Sequence, residues 1–344
     1  MQNVATRLLI KIAVGAENWQ DWCFFSASPA LSISRIVKVF ADLENLLIIR
    51  ACLSPYMLSH DDSLSKPAPI DRNRELLKTA REEIYKTVGG VNLPVYIWEP
   101  EAEKAPSYPK SVIAFFYSSG WDNGQVSQFA PHCVYFASRG MLAMAFDYRV
   151  SARHGTTPVE AMADARSAFR WLRLNAVELG ISPGKIVGAG GSGGAHIVAA
   201  SAMLSGFDEA GEDLSIPCAP NALALFNPVL DTSKKGFGFD RFPNPDLAKR
   251  ANLAAAIAPG LPPTLIFHGT QDRVVSFDSS FDFAKRMKKK KNMCELVVYE
   301  GQGHGFFNFN VSFDIYQATL NVLDDFLVGQ GFIEPDPNAM SEVL

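Results

Sequence analysis

Residues 185–196 read Lys-Ile-Val-Gly-Ala-Gly-Gly-Ser-Gly-Gly-Ala-His and are the most informative segment of the chain. It contains the pattern G-x-S-x-G around Ser192, directly after an apolar run typical of a strand and directly before a helical run. Glycines two positions on either side of the serine let strand and helix pass close together, and the tight turn exposes the hydroxyl. The pattern therefore predicts that Ser192 is a nucleophile.

The same stretch fits a second pattern. Residues Gly188 to Gly193 also match G-x-G-x-x-G, the fingerprint of dinucleotide binding. That fingerprint normally opens the first strand–helix–strand unit of a domain, and an acidic residue ends a second strand about 20 residues later. Here several predicted strands come first, and Asp208 and Glu209 lie in a polar loop. Nucleotide binding, or a glycine turn without chemistry, is therefore the less favoured interpretation.

Short β-rich runs alternate with helical segments from about residue 90 onward. Several runs are continuously apolar, as expected for strands covered on both faces of a parallel sheet. A helix is signalled between two of them, because Thr157, Pro158 and Glu160 form a capping sequence. The alternation predicts an α/β fold, a mostly parallel doubly wound sheet of about eight strands. The runs cover residues 91–98, 111–117, 141–148, 185–189, 222–230, 263–268 and 294–299.

A serine nucleophile needs a base, and the base needs an orienting carboxylate, in the chain order serine, acid, histidine. Asp272 follows the predicted strand 263–268, and His304 lies between glycines after the last predicted strand. Both residues fit the chain order serine, acid, histidine, and both follow strands that should end at the same edge of the sheet as Ser192. Asp231, after the preceding strand, is the rival acid, and the alternative for His304 is an ordinary loop histidine.

The negatively charged oxygen formed during acyl transfer needs hydrogen-bond donors. One is expected to be the backbone N–H of Gly193, the residue after the nucleophile. The others should come from the loop after the strand 111–117, where Ser119 and Gly120 are the candidates. The alternative for this loop is a plain polar turn.

With these residues in place, the chain resembles the bacterial esterase/lipase group of α/β-hydrolases, related to hormone-sensitive lipase and acetyl esterases. The resemblance covers about residues 84–330. It implies an α/β-hydrolase fold in which Ser192 is the nucleophile, Asp272 the acid and His304 the base, with no metal and no organic cofactor. It rests on Ser151-Ala-Arg-His-Gly-Thr-Thr-Pro158, Leu179-Gly-Ile-Ser-Pro183, the glycine-rich turn, His268-Gly-Thr-Gln-Asp272 and Gly303-His-Gly-Phe-Phe-Asn308.

One segment departs from the family pattern. The family usually reads His-Gly-Gly-Gly-Trp where residues 117–121 read Tyr-Ser-Ser-Gly-Trp. Backbone N–H groups survive such substitutions, so Ser119 and Gly120 can still donate, but the histidine that braces the family loop is missing. A milder change is Ser192-Gly-Gly-Ala-His196 in place of Ser-Ala-Gly-Gly-His.

The first 80 residues read differently from the rest. Apolar residues recur at helical spacing between residues 33 and 47, and a charged helical stretch is expected from Asp71 to Lys86. We therefore predict a helical segment over residues 1–80, an appendage or cap, and a catalytic domain over residues 81–344. In the hormone-sensitive lipase branch such a segment helps form the substrate pocket, which makes this one a candidate lid by analogy.

The composition of the chain indicates which kinds of binding partner to expect. The formal net charge of the 344-residue chain is −4, so it carries no electrostatic footprint for nucleic acid. No apolar stretch is long enough to span a membrane. Five widely spaced cysteines favour reduced thiols and a cytoplasmic protein; the apolar run from Leu8 to Ala16, interrupted by Lys11, leaves secretion as an alternative. A homodimer is also left open.

The favoured function is hydrolysis of a short-chain or otherwise small carboxylic ester through an acyl-enzyme. A carbohydrate acetyl esterase and a small-peptide serine peptidase are alternatives with the same machinery. The altered loop at residues 117–120 leaves a further alternative, a ligand-binding relative that retains the pocket but little of the catalytic rate.

Overall fold

The computed structural model describes residues 9–13, 23–26, 48–52, 69–101 and 109–336. The strands are β1 (Leu9–Ala13), β2 (Cys23–Ser26), β3 (Ile48–Cys52), β4 (Arg81–Val88), β5 (Val91–Trp98), β6 (Lys110–Phe116), β7 (Leu142–Phe146), β8 (Ile181–Gly191), β9 (Ala222–Phe226), β10 (Thr264–Gly269) and β11 (Cys294–Tyr299). The helices are α1 (Pro69–Leu77), α2 (Ala130–Ser138), α3 (Ser151–His154), α4 (Pro158–Leu174), α5 (Ser192–Met203), α6 (Pro245–Arg250), α7 (Phe277–Lys289) and α8 (Phe313–Gly329).

Strands β4 to β11 form one mostly parallel sheet, as the sequence predicts. Its order is β11-β10-β9-β8-β6-β7-β5-β4. Neighbours from β11 to β7 run parallel, whereas β5 pairs antiparallel with β7 and with β4. Every residue of β7, β9 and β10 is buried, because helices cover both faces of the sheet. Parallel strands end at one edge, so the loops that follow β6, β8, β10 and β11 meet there.

Helix α4 begins where its capping sequence predicts. The Thr157 side chain accepts a hydrogen bond from the backbone of the first turn, and Glu160 accepts one from the Thr157 N–H at 2.8 Å. Pro158 occupies the first turn, where a missing N–H costs nothing.

The charged helix expected from Asp71 to Lys86 is wrong in its second half. Helix α1 ends at Leu77, and residues 81–88 form strand β4. Gly89 and Gly90 both have positive φ and turn the chain into an antiparallel hairpin with β5. Tertiary contacts outweigh local propensity here, because the buried Tyr85 side chain donates a 2.8 Å hydrogen bond to the Asp147 carbonyl.

Before helix α1, the described residues are the strands β1, β2 and β3. Strand β1 pairs antiparallel with both β2 and β3, and β3 runs parallel to β11, which extends the sheet at that edge. The amphipathic helix expected between residues 33 and 47 lies outside the described residues. The division of the chain at residue 80 stays a prediction. Over the described ranges, no helix has the length and apolar character needed to cross a bilayer.

Candidate active site

Ser192 lies on the sharp turn between β8 and α5. Its φ of 52° is in the left-handed region, which strains a residue with a side chain. The turn is possible because its flanking glycines lie against backbone: a Cβ on Gly190 would come within 2.8 Å of the Gly194 carbonyl carbon, and one on Gly194 would overlap the carbonyl oxygens of Phe116 and Tyr117. The strand–turn–helix expected from G-x-S-x-G is therefore present.

Asp272 and His304 are joined by a hydrogen bond. The distance from His304 Nδ1 to Asp272 Oδ2 is 2.7 Å, and Asp272 Oδ1 accepts from the backbone N–H groups of Val274 at 2.8 Å and Val275 at 3.0 Å. Burial raises the pKa of Asp272, but hydrogen bonds from His268, His304 and Val275 outweigh it, so its pKa lies well below the usual range. An ionised Asp272 requires a hydrogen on His304 Nδ1, which leaves Nε2 as the basic nitrogen.

A second imidazole contacts the same carboxylate. His268 Nε2 lies 3.2 Å from Asp272 Oδ2 and 3.1 Å from the Val275 carbonyl oxygen, and its Nδ1 lies 2.7 Å from the Ser280 hydroxyl. Two acceptors around Nε2 place the hydrogen there, so the fully buried His268 donates to Asp272 while Ser280 donates to Nδ1. The sequence indicates a structural role for His268; its contact with the acid becomes visible only once the loop after β10 is folded.

Asn227 is another neighbour that the sequence does not reveal. It follows β9 with a φ of 42°, is fully buried, and its Nδ2 lies 3.3 Å from His304 Nδ1. Because Nδ1 carries a hydrogen, the amide fits better with its oxygen toward the ring, and that oxygen has no other hydrogen-bond partner. Asn227 therefore helps to fix the plane of the imidazole.

Ser192 and His304 line one cavity of about 340 Å³. No hydrogen bond joins the Ser192 hydroxyl to another described residue; in enzymes without substrate, hydrogen bonds between catalytic groups are often long or absent. Most of the residues that line the cavity carry polar side chains, and the aliphatic Val274 is 51% exposed. The remaining lining residues are Ser118, Ser119, Gly120, Asp122, Asn123, Phe237, Arg241 and Val274.

The loop after β6 is held by hydrogen bonds that involve several side chains. The Ser119 hydroxyl accepts from the Trp121 N–H at 2.8 Å and lies 2.6 Å from the Tyr148 hydroxyl, which donates to the Tyr117 carbonyl at 2.7 Å. The Ser118 N–H donates to Gln128 Oε1 at 2.6 Å. These bonds fix the loop through side chains that are distant in sequence.

Three backbone N–H groups remain available at this point. Those of Ser119, Gly120 and Gly193 have no acceptor among the described residues. Gly120 has a φ of 57°, and a Cβ placed on Gly193 would lie 3.0 Å from both the N and Cα atoms of Gly120. The loop after β6 and the first turn of α5 are therefore packed against each other beside Ser192, which is the arrangement required of an oxyanion hole.

The rival acid, Asp231, lies in a different set of contacts. It accepts hydrogen bonds from the Ser233 N–H at 2.8 Å and from Asn252 Nδ2 at 2.5 Å, and no described contact joins it to a histidine. The described residues also contain no group of three or more His, Cys, Asp or Glu side chains arranged to hold a metal ion.

Comparison with known proteins places the chain in a family. Esterase 2 of Thermogutta terrifontis, in its apo form, is 44% identical, with a TM-score of 0.72 and coverage of 76% of this chain and 98% of that one. The chain belongs to the esterase/lipase family of α/β-hydrolases. It is a serine ester hydrolase. Two family models match parts of this hydrolase, one described as BD-FAE over residues 95–233 and one as the prolyl oligopeptidase family over residues 239–328.

Curated relatives of this esterase/lipase chain are more distant. Carboxylesterase NlhH of Mycobacterium tuberculosis (strain ATCC 25618 / H37Rv) is 28% identical over 265 residues, which cover 68% of this chain and 78% of that protein. The probable isoprenylcysteine alpha-carbonyl methylesterase ICMEL1 of Arabidopsis thaliana is 25% identical over 219 residues, covering 57% of this chain. The chain spans only 45% of the length of that plant relative.

Proposed function

We propose that the protein hydrolyses short-chain or otherwise small carboxylic esters through a triad of Ser192, His304 and Asp272. The observation that carries this proposal is the 2.7 Å hydrogen bond between Asp272 and His304, at a cavity that His304 shares with the strained Ser192. With Nδ1 bound to Asp272, we expect Nε2 to be the nitrogen that takes up the serine proton.

In the proposed mechanism the Ser192 oxygen attacks the ester carbonyl carbon while His304 Nε2 takes the hydroxyl proton. The tetrahedral intermediate collapses when His304 returns that proton to the departing alcohol, which leaves an acyl group on Ser192. A water molecule then attacks the acyl carbon, gives a proton to His304 and releases the carboxylic acid, and the proton returns to Ser192. Asp272 stays ionised throughout and stabilises the imidazolium form of His304.

The oxyanion formed in both halves of the reaction would accept hydrogen bonds from Gly193 and from Gly120 or Ser119. Their N–H groups are unpaired and adjacent, which supports this assignment. Such donors typically contribute about 10²–10³ each to kcat. Free donors also argue against the alternative of a catalytically weak ligand-binding relative, because such a protein would not need them.

The cavity favours a small substrate. About 340 Å³ lies at the lower end of ordinary ligand pockets. The polar side chains in its lining also suit acetyl esters of carbohydrates, and one curated relative, at 24% identity, is an acetylxylan esterase. The second candidate is a small-peptide amide hydrolase, favoured by the match of residues 239–328 to the prolyl oligopeptidase family. Panels of acetylated sugars and peptide amides separate these.

The composition and the free cysteines support a cytoplasmic location. Cys133, Cys218 and Cys294 are free, which supports a reducing, cytoplasmic environment. The small net negative charge supports a small-molecule ester rather than nucleic acid as the partner. The homodimer left open by the sequence stays a prediction.

The test compares turnover of p-nitrophenyl acetate and butyrate by the native protein, Ser192→Ala and Ser201→Ala. Ser201 is a matched control, since it is a buried serine on the same helix whose hydroxyl bonds only to the Ile197 carbonyl. Ser192→Ala should lose at least about 10⁴ in kcat, while Ser201→Ala should retain it. Equal activity of the native protein and Ser192→Ala would refute the mechanism.

A further inference from the structure

Among the described residues that line the cavity, Arg241 is the only lysine or arginine. It ends a short helical turn, Phe239–Arg241, in the loop that connects β9 to α6. Two contacts hold its guanidinium in place. Nη1 donates to the Gly120 carbonyl oxygen at 2.5 Å, and the Cζ atom lies 5.1 Å from the centre of the Phe237 ring.

These contacts use only part of the hydrogen-bonding capacity of the guanidinium. Arg241 has five N–H donors, and the Gly120 carbonyl is its one hydrogen-bond acceptor within the described chain. No carboxylate of the described residues lies within ion-pairing distance of it. Several other arginines of the fold do form ion pairs; these are Arg139, Arg149, Arg153, Arg166 and Arg170.

One of the described lining residues, Asp122, carries a carboxylate. It is exposed and its Oδ1 accepts a hydrogen bond from the Ser151 hydroxyl, so it is directed toward α3 and forms no ion pair with Arg241. The positive charge of Arg241 is therefore not neutralised by a direct partner. It is fixed beside the carbonyl of Gly120, the residue whose N–H is a proposed oxyanion donor.

We propose that Arg241 binds a carboxylate of the substrate, and that the preferred substrates are small esters carrying a carboxylate within a few bonds of the ester group. This inference rests on the proposed function and names its substrate class. A planar guanidinium with free N–H groups matches the two oxygens of a carboxylate, and its fixation on Phe237 and Gly120 lowers the entropy lost on binding. Monoesters of short dicarboxylic acids have this chemistry.

The test uses two pairs of esters that differ only in charge. Monomethyl succinate and methyl succinamate carry a carboxylate or an amide on the acyl side; acetoxyacetate and acetoxyacetamide do so on the alcohol side. For at least one pair the native protein should favour the anion in kcat/KM by roughly tenfold or more, the usual effect of a charged hydrogen bond. Added salt should reduce that preference.

Substitution then assigns the preference to Arg241. Arg241→Gln should bring the anion-to-amide ratio close to one, mainly through a higher KM for the anion, and Arg241→Lys should keep part of it. Asp122→Asn should raise the ratio, because it removes the negative charge of the cavity. Arg250→Gln is the matched control: Arg250 stacks on Phe207 at the same 5.1 Å and donates to the Gly206 carbonyl, away from the cavity.

The outcomes are separable. A native ratio near one for both pairs, or an equal fall in kcat for anion and amide in Arg241→Gln, would overturn the proposal and leave Arg241 as a brace of the Gly120 loop. Loss of all four activities in Ser192→Ala tests the triad instead. Melting temperatures of the variants, with Arg241→Lys as the conservative change, separate altered binding from altered folding.

Discussion

Replacing Asp272 by asparagine tests how His304, the proposed catalytic base, is oriented. Asp272 uses both oxygens: Oδ1 accepts from the N–H groups of Val274 and Val275 at 2.8 and 3.0 Å, and Oδ2 accepts from His304 at 2.7 Å and His268 at 3.2 Å. An asparagine has one acceptor oxygen and one NH₂ donor in their place. It therefore satisfies only one of the two pairs of donors.

The structure indicates which pair the amide will satisfy. The two backbone N–H groups cannot change, so an NH₂ facing them creates donor–donor contacts that cost about 1–3 kcal/mol each. The imidazoles can change tautomer, so the NH₂ should face them. His304 must then accept at Nδ1 and carry its hydrogen on Nε2, where it cannot take the Ser192 proton. We expect kcat to fall about 10⁴-fold, equivalent to about 5.5 kcal/mol.

The assay is steady-state hydrolysis of p-nitrophenyl acetate by the native protein, Asp272→Asn and Asp231→Asn. Asp231 is the rival acid from the sequence and also accepts a backbone N–H, so it is a matched control and should change kcat less than about threefold. Unfolding curves confirm that the variants are folded. A kcat of Asp272→Asn within tenfold of native, or an equal loss in Asp231→Asn, would refute this reasoning.

Two further predictions concern stability. The buried Lys86 ammonium lies 2.7 Å from Asp164 and 2.7 Å from Glu209. Lys86→Met should therefore lower the free energy of unfolding, measured in urea, by about 3 kcal/mol and leave kcat unchanged. A decrease of less than about 1 kcal/mol would contradict this. Burial lowers the pKa of His132 to about 3, whereas the pKa in the unfolded chain is about 6.5. The unfolded state therefore binds more protons, and the free energy of unfolding falls as the pH drops below about 6.5. His132→Phe should weaken this fall; if the difference in unfolding free energy between variant and native protein is the same at pH 7 and pH 5, His132 is not its cause.

Much of the candidate site could be predicted because short sequence patterns indicate where its residues lie. The turn at Ser192 needs glycines at fixed spacing, and the positions of Asp272 and His304 follow from the order of strand ends in a parallel sheet. The sheet itself is predictable since its strands are continuously apolar and buried on both faces.

The rest depends on contacts between residues far apart in sequence. Strand β4 reads as a charged helix, and only its pairing with β5 and the burial of Tyr85 make it a strand. Likewise, no local pattern reveals that Asn227 lies against His304 or that Arg241 contacts Gly120, since these pairs are separated by 77 and 121 residues. Tyr148 contacts Ser119 in the loop after β6 in the same long-range way.

Covalent labelling can identify the proposed nucleophile, Ser192. An activated serine nucleophile attacks the phosphorus of an organophosphate and stays phosphorylated. If Ser192 is the nucleophile, the native protein should gain one diethylphosphoryl group on incubation with paraoxon, release p-nitrophenol and lose its esterase activity in parallel. Peptide mass spectrometry should place that group on Ser192, and Ser192→Ala should stay unlabelled. An active protein that is not labelled, or a label on a different residue that accounts for the lost activity, would contradict the account.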